Sequence, residues 1–448
     1  MLPPRSFRRG LLPMAAVVTF CCLASPPAKA TIGDQVVQLK EDAGVSITDF
    51  GAVGDGTTLN TKSIQAAIDH TAGQGGGTVV IPAGLFVSGA IFLKPKVNLC
   101  LKKGGVLRCS TDMKNFPQQR TRIEGHFEKK FTPALINAEG CDGLQLTGAG
   151  TLDGNGRPLW DQFWKLRHTS GDKKNFNNLS VPRARLCLIE NSKDVAVRQI
   201  TFKDSQFWNL HLYHDQKVLV EGVRFQVPDN YKQAPSTDGI DVDSCQDVAI
   251  KGCYFSVTDD CIALKGSKGT DALDDKNSPP VEHVRVSDCT FRRGDAAVTC
   301  GSEATIVRDL VVDNCRITGA MNVLRLKLRS DTPQRYEDLH LGGLTLDNAG
   351  GTLVNIAPWT QYTDLKGEGV PPPTSTVRRI TISDVKGRYG KVGTIQGNQG
   401  QTKISDIALK NIDVQFKDEK FKSSGVTDLT MKNVSVNGVP VTPKDLQR

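Results

Sequence analysis

One short phrase recurs along the chain: a polar residue, an apolar-x-apolar strand, a turn and a second short strand. The first apolar positions of its nine copies are Val195, Val218, Val248, Val284, Leu310, Leu339, Ile380, Ile407 and Leu429. Successive copies lie 22 to 41 residues apart with no helical pattern between them, which is typical of a β-solenoid. We therefore predict an all-β fold: a single right-handed parallel β-helix over residues 31–448.

Variable spacing between the copies indicates insertions in loops, chiefly Gly266 to Pro280 and Gln361 to Thr376.

An antiparallel sandwich also has many short strands. Its tight hairpins favour Asn-Gly or Asp-Gly turns, and such turns do not separate these strands.

Before the repeats, Val45 to Phe50 predicts a strand, and Thr61 to Thr71 predicts a helix with Ile64, Ala67 and Ile68 on one face. The glycine-rich turn between them lacks the G-x-G-x-x-G order of a dinucleotide site, and no alternating strand–helix series follows. We expect this helix to cap the open end of the solenoid, where the first coil would otherwise expose its core.

Residues 1–30 predict an export signal. Basic residues come first, an apolar run from Leu11 to Leu23 follows, and Ala28-Lys29-Ala30 provides an A-x-A cleavage site. We expect a secreted or periplasmic protein. No later segment has the roughly 18 apolar residues that a membrane span needs, so no membrane association is predicted.

The net charge of +8 falls to +4 without the four basic residues of the signal. That value is too small for a general nucleic-acid binder. Ten of the 12 Cys follow the signal, without zinc-type spacing. We expect them to be buried, with an occasional disulfide that export permits.

Three aspartates stand out when the strands after each turn are aligned. If Ile240, Ile262 and Val298 share one inward position, Asp238 and Asp260 occupy equivalent positions on neighbouring rungs. Stacked strands lie about 4.8 Å apart, so the two carboxylates should be close. Asp259 has the opposite strand phase and would reach the same surface only through a bend at the turn.

One carboxylate apart from a close pair suits glycoside hydrolysis with inversion. In that reaction a base activates water, and an acid about 6.5 to 9.5 Å away protonates the leaving oxygen. Asp238 and Asp260 would then hold the water, and Asp259 would be the acid. Repulsion within the cluster raises at least one pKa, which helps an Asp to keep a proton.

Two cations lie near these acids. Arg325 and Lys327 alternate with leucines on one strand, so both should point outward, two rungs beyond the aspartate pair. A bidentate Arg beside an ammonium suits a sugar carboxylate, although both could instead neutralise nearby aspartates. Trp208 and Trp359 could stack on sugars or pack in the core.

Other acids and histidines have simpler interpretations. Asp241, Asp243 and Asp247 are expected to accept hydrogen bonds from backbone amides at turns. His211 and His214 are expected to be ordinary packed or surface residues. A calcium site built from the clustered carboxylates is an alternative to acid–base catalysis, since β-helical uronate lyases use such ions.

From Ile47 to the last coil the sequence resembles glycoside hydrolase family 28, the polygalacturonase family. Ser236-Thr237-Asp238-Gly239 is similar to its N-T-D-G motif, and Asp259 to Lys265 to its D-D-C-x-A-x-K. Arg325-Leu326-Lys327 is similar to its R-I-K. The resemblance implies an inverting hydrolase of pectic polysaccharide or oligosaccharide, without a metal or cofactor. It also implies that Asp259 is the acid, that Asp238 and Asp260 activate water, and that Arg325 and Lys327 bind galacturonate.

Two positions depart from the family's pattern. Ser236 replaces the Asn of the first motif, and Asp295 stands where the family's G-H-G carries His. A carboxylate there adds repulsion and removes a hydrogen-bond donor unless it is protonated. We expect Asp295 to contact substrate. A calcium-dependent lyase and a non-catalytic carbohydrate-binding solenoid remain alternatives, and a monomer is expected.

Overall fold

The computed structural model describes residues 44–172, 176–360 and 370–445. Each coil adds one strand to each of three parallel stacks, here named A, B and C in the order in which a coil visits them. The predicted parallel β-helix is confirmed.

Stack A holds all nine predicted strands, and the nine first apolar positions pair directly from rung to rung. Its members are Val45–Ser46, Gly77–Ile81, Val97–Leu101, Gln145–Thr147, Lys193–Arg198, Gln216–Glu221, Gln246–Lys251, Val281–Ser287, Ile306–Asp313, Arg335–Gly342 and the first parts of Ser375–Gln396, Thr402–Ser424 and Val426–Val436.

Stack B follows stack A around each coil. Its members are Asp55–Leu59, Gly84–Ser88, Gly105–Cys109, Thr151–Asp153, Thr201–Lys203, Arg224–Gln226, Tyr254–Ser256, Thr290–Arg293, Arg316–Ile317, Leu344–Asp347 and the later parts of the long strands. Phe202, Phe225, Phe255 and Phe291 form a ladder along it, with ring centroids 5.0 to 5.1 Å apart. All four side chains are buried, so this ladder is part of the core.

Stack C carries the candidate site on its outer face. Its members are Ile91–Phe92, Ile136–Glu139, Cys187–Glu190, Leu210–Tyr213, Ile240–Asp243, Ile262–Lys265, Ala296–Cys300, Asn322–Arg329, Thr352–Trp359 and the last parts of Ser375–Gln396 and Thr402–Ser424.

A few elements lie outside the stacks. The strands Gln119–Ile123 and His126–Phe131 form an antiparallel hairpin, here called the cover hairpin, and Val439–Pro440 pairs antiparallel with Val426–Val436. The α-helices are Thr61–Gly73 and Arg157–Thr169, and the 3-10 turns are Ile47–Phe50, Met113–Asn115, Asn178–Ser180 and Ala272–Asp274.

The polar residue that opens each copy of the repeat has a backbone reason. All nine, from Asp194 to Asp428, adopt left-handed conformations with φ between 54° and 59°. Non-glycine residues rarely adopt this conformation, and Asp is among the types that tolerate it best. The same kink at every coil therefore explains why a β-branched residue does not occur there.

The N-terminal elements differ in part from the prediction. The helix is present as Thr61–Gly73, with Ile64, Ala67 and Ile68 buried as expected. The predicted strand from Val45 to Phe50 is wrong beyond Ser46, because Ile47–Phe50 form a 3-10 turn that ends at Gly51 in the left-handed region. The capping role of the helix stays a prediction.

The ten described cysteines are all free thiols, and nine of them are buried. Burial is as expected, but the occasional disulfide is wrong for the described part of the chain. The predicted export signal and most of the Gln361 to Thr376 insertion lie outside the described residues. Among the helices of the described ranges, none has the length and apolar character to cross a bilayer.

Candidate active site

The predicted alignment of the strands in stack C is confirmed. Ile240 pairs with Ile262, and Ile262 pairs with Val298. Gly239 N donates to the carbonyl of Asp260 at 2.9 Å, so Asp238 and Asp260 stand side by side at the start of neighbouring rungs. Their position just before the strands lets both carboxylates face the outer surface of the stack.

Asp259 joins this pair. Its carboxylate turns back to accept a hydrogen bond from Asp260 N at 3.0 Å, which confirms the predicted bend. One carboxylate oxygen from each of Asp238, Asp259 and Asp260 lies within 4.8 Å of the others. The expected pair with a distant third carboxylate is therefore wrong, and the three acids form one tight cluster.

Asp260 is held as the ionised member of the cluster. Lys327 Nζ donates to its Oδ2 at 2.7 Å, and Thr299 Oγ1 donates to its Oδ1 at 2.7 Å. Burial alone would raise the pKa of Asp260, but the charge of Lys327 and these two hydrogen bonds outweigh burial and hold it below its usual value.

Asp259 and Asp238 have the opposite tendency. Burial, followed by the charge of Asp260, raises the pKa of Asp259 to about 6. Burial, followed by the charge of Asp259, raises the pKa of Asp238 well above its usual value. A proton on Asp259 removes one of the charges that act on Asp238, so the cluster titrates as a coupled group. The arrangement retains a proton beside an ionised carboxylate.

Arg325 and Lys327 point outward as predicted, between buried leucines. Their cationic groups lie 4.7 and 5.0 Å from the ring centroid of Trp359, which places an aromatic face beside both charges. Trp208 is buried against Phe207, and Lys265 Nζ lies 4.7 Å from its ring centroid. Trp359 is therefore the more accessible of the two tryptophans.

Asp295 forms an ion pair with Arg325, whose Nη1 donates to Asp295 Oδ2. The Asp295 side chain is 47% exposed. Arg325 is thus an ion-pair partner for the carboxylate that stands where the family motif has His.

Several residues of the cleft were not predicted. The cleft between the acids contains a space of about 70 Å³, which is several times what one water molecule needs. Glu124, Asn178, Ser302 and Glu303 line it together with Lys265. Ser302 and Glu303 follow the site strand Ala296–Cys300 after one glycine, and this position along the sequence could have predicted that they lie near the site. Glu124 and Asn178 come from distant loops, and no sequence pattern connects them with the site.

Ser236, the other departure from the family motif, is linked to one of these residues. Asn178 Nδ2 donates to Ser236 Oγ at 2.9 Å. An asparagine side chain is thus present beside Asp238, supplied by a different loop.

The turn role expected for Asp241 and Asp243 is wrong. Both are fully buried on the outer face of stack C. Asp243 pairs with Arg122 at 3.0 Å and lies 3.5 Å from His211. Asp241 lies 3.6 Å from Lys265 Nζ, and neither of its carboxylate oxygens has a hydrogen-bond partner among the described residues. Asp247 also differs, because its carboxylate bonds the ring of His283 at 3.1 Å.

The two histidines behave as expected. His211 is buried and bonded to Arg185 at 2.7 Å. Burial lowers its pKa to about 4, so the ring is neutral near pH 7. His214 is exposed and bonded to Asn191 at 2.9 Å. Neither lines the cleft.

The tight carboxylate cluster offers three oxygen ligands to a divalent cation. Calcium takes six to eight oxygen ligands, whereas Asp260 is already bonded on both oxygens, one of them to an ammonium. A cation here would have to compete with Lys327. The donor set therefore fits proton transfer better than calcium binding.

The family model for glycosyl hydrolases family 28 matches residues 94–441, and that for rhamnogalacturonase A/epimerase, pectate lyase-like, matches residues 44–111. A probable polygalacturonase from Vitis vinifera is 27% identical over 67% of this chain and 60% of its own length. An exo-poly-alpha-D-galacturonosidase from Dickeya chrysanthemi is 25% identical over 89% of this chain and 75% of its own length.

A solved structure shares the fold. The exopolygalacturonase from Thermotoga maritima superposes with a TM-score of 0.67 at 23% identity, over 89% of this chain and 92% of that one. The chain spans only about 60% of the length of the grape relative. The family match nevertheless covers most of the chain, and it includes every residue of the aspartate cluster and both cations. The chain belongs to glycosyl hydrolases family 28.

Proposed function

We propose that this protein hydrolyses α-galacturonosidic linkages in pectin-type polysaccharide, as a polygalacturonase or rhamnogalacturonan hydrolase, with inversion at the anomeric carbon. The observation that carries the proposal is the cluster of Asp238, Asp259 and Asp260 directly beside Lys327 and Arg325. Family membership and the names of the relatives support the same class of substrate.

The general acid in this proposal is Asp259. A pKa of about 6 leaves much of it protonated in mildly acidic solution, which is the state needed to protonate a leaving oxygen. Asp260 is the base, because Lys327 keeps it ionised. Each carboxylate oxygen has two lone pairs, so the bonds from Lys327 and Thr299 leave room for a water. Asp238 positions that water from the neighbouring rung.

Substrate binding is assigned to Arg325, Lys327 and Asp295. A guanidinium has five N–H groups, so the bond to Asp295 leaves donors for a uronate carboxylate. Trp359, beside both cations, offers an apolar face to a sugar ring. Asp295 can accept hydrogen bonds from sugar hydroxyls while it fixes the position of Arg325.

The purified full-length protein should release reducing ends from polygalacturonate or a rhamnogalacturonan. Proton NMR during the first turnovers should show the anomer opposite to that of the cleaved bond. Retention of configuration would contradict the inverting assignment. The measurement is informative here because retaining glycosidases hold their two carboxyl groups closer together than inverting ones do. Activity that needs calcium and gives unsaturated products absorbing in the ultraviolet would favour the lyase. Binding without turnover would favour the carbohydrate-binding solenoid.

Export is part of the proposal. The predicted signal in residues 1–30 would place the protein outside the cytoplasm, where pectic polymers are found. N-terminal sequencing of the protein from its native host tests this, with Thr31 as the expected first residue. The monomeric state also stays a prediction, and sedimentation would measure it.

A further inference from the structure

The outer face of stack C is covered on one side of the aspartate cluster. Two rungs precede the cluster, and their outward side chains Leu188 and His211 have no exposed surface. Asp241, which pairs with His211 and lies on the rung that Asp238 opens, is also fully buried. Tyr213 and Asp243, on the same face, are also buried. In the part of the chain that the structure describes, this face therefore has no open groove before Asp238.

The cover hairpin, Gln119–Ile123 with His126–Phe131, is what covers it. Arg122 donates to Asp243 at 3.0 Å, to Gly266 O at 2.6 Å and to Ser278 Oγ at 2.6 Å. Arg185, just before the stack C strand Cys187–Glu190, donates to Thr121 Oγ1 at 2.6 Å and to Arg122 O at 2.8 Å. The hairpin is thus fixed to stack C by several buried hydrogen bonds.

The tip of the hairpin reaches the cleft itself. Glu124 and Gly125 turn there with φ of 44° and 77°. Gly125 packs so closely on Glu303 that a Cβ would lie 2.9 Å from the Cβ of that residue. Asn178 Nδ2 donates to Glu124 Oε1 at 3.2 Å, and Arg183 holds Asn178 Oδ1 at 2.6 Å. Glu124 and Asn178 form a wall, here called the end wall, in the same small cavity as the three aspartates. Glu303 follows the strand Ala296–Cys300 and closes the flank of this cavity beside the tip of the hairpin.

Beyond the aspartates the surface is different. Asp295, Asn322, Arg325, Asn355 and Trp359, on the following rungs, all retain exposed surface. A chain bound along stack C can therefore extend from the cluster toward these rungs, but it cannot extend toward the cover hairpin. We propose that the substrate groove ends blindly at the end wall, so that this enzyme removes single galacturonate residues from the chain terminus; the inference rests on the proposed function.

The charge of the end wall agrees with a terminal residue. Sugar hydroxyls can donate to the carboxylates of Glu124 and Glu303. Burial, followed by the charge of Glu303, raises the pKa of Glu124, so a negative charge is disfavoured at this wall. A further uronate placed beyond the bound residue would bring its own carboxylate into the same buried position. Glu303 lies 3.6 Å from Lys265 Nζ, but that ammonium is shared with Asp241 at the same distance.

The positions of the catalytic groups indicate which terminus is bound. Asp238 lies on the rung nearer the end wall, whereas the carbonyl of Asp259 accepts a bond from Asp295 N on the next rung away from it, at 2.9 Å. In a direct displacement the water and the leaving oxygen are on opposite sides of the anomeric carbon. The leaving chain is then on the open side, and the non-reducing terminal residue occupies the blind end.

Oligogalacturonides labelled at the reducing end test the proposal on the unaltered protein. The labelled species should shorten one residue at a time, with free galacturonate formed from the first time point. The viscosity of polygalacturonate should fall slowly relative to the bonds cut. Labelled fragments of intermediate length at early times would show cleavage within the chain and would contradict a groove that ends at the end wall. Early release of the label on a single residue would show removal from the reducing end, and would contradict the assignment of the non-reducing terminus to the blind end. Absence of hydrolysis would instead remove the proposed function, and this inference with it.

A variant tests the end wall. Glu124→Gly suits the positive φ at this position and removes the side chain that closes the cleft, so longer products and a faster fall in viscosity are expected. Glu124→Gln keeps the volume and should keep single-residue release. Glu128→Gln, on the same hairpin but paired with His126 away from the cleft, is the matched control. Unchanged single-residue release by Glu124→Gly would overturn the assignment of the end wall.

Discussion

Lys327 Nζ donates a 2.7 Å hydrogen bond to Oδ2 of Asp260 from a strand two rungs further along stack C. Both side chains are almost fully buried. An ammonium in this position keeps a buried carboxylate ionised within a cluster whose other two members tend to be protonated. The bond therefore divides the acid role from the base role.

Replacing this ammonium should change the pH dependence of turnover. Lys327→Met removes the charge, so the pKa of Asp260 rises and the acidic limb of the kcat profile moves to higher pH. A base that is less often ionised also lowers kcat, by about 10²-fold or more. Lys251→Met, at an exposed end of a stack A strand, is the control. An acidic limb at its original pH would show that Lys327 only binds substrate.

Asp259 and Asp260 should be separable by substrate chemistry. Asp259→Asn and Asp260→Asn should each lose about 10² to 10⁴-fold in turnover on a natural substrate. An aryl galacturonide with an acidic leaving group needs no proton, so it should restore much of the rate of Asp259→Asn but not of Asp260→Asn. Asp288→Asn, exposed and in a conformation that Asn tolerates, is the control. Equal rescue of both variants would contradict the assigned roles.

The stability of the protein should depend on the protonation of Asp259. The pKa of Asp259 in the folded state is about 6, above its ordinary value. Its contribution to stability is therefore fully present at low pH and is lost as pH rises through about 6. Asp259→Asn removes this loss, so its Tm relative to the unaltered protein should increase between pH 4 and pH 8. Thermal unfolding measured across this range would show a flat difference if Asp259 does not titrate there.

Asp295 should influence both the pH profile and the use of substrate. Its charge is one of the causes that raise the pKa of Asp259. Asp295→Asn should therefore move the alkaline limb of kcat/KM to lower pH. Asp295→Ala should also lose activity on the natural substrate, because Arg325 loses its partner. If both variants keep the rate and the pH profile, Asp295 is a bystander. Asp313→Asn, exposed on stack A, provides the comparison.

Local patterns were enough to predict stack A and the three aspartates. The β-helix repeats one short phrase, and parallel pairing places each copy on the one before it, so aligned apolar positions such as Ile240 and Ile262 became neighbours as predicted. Asp238, Asp260, Arg325 and Lys327 followed from the same alignment, because the alternation of strand side chains determines which ones face outward.

Contacts between distant segments could not be predicted in this way. Asp241 and Asp243 have the composition of turn residues, yet the cover hairpin buries them and Arg122 pairs with one of them. The compact form of the cluster depends on how Asp259 folds back at the turn, which strand phase does not specify. The partner of Asp295 was also not foreseen, because its pairing with Arg325 depends on side-chain conformation across adjacent rungs.

The sequence by itself determined the repeat, the parallel stacking and the identity of the acids and cations, because these depend on periodicity along one chain. Only the tertiary structure brought Glu124 and Asn178 to the lining of the cleft and Lys327 to Asp260. It also decided which carboxylate retains a proton. The physical reason is that burial and charge at a point in space are summed over all segments that meet there, and the cover hairpin meets the aspartates more than 100 residues away along the chain.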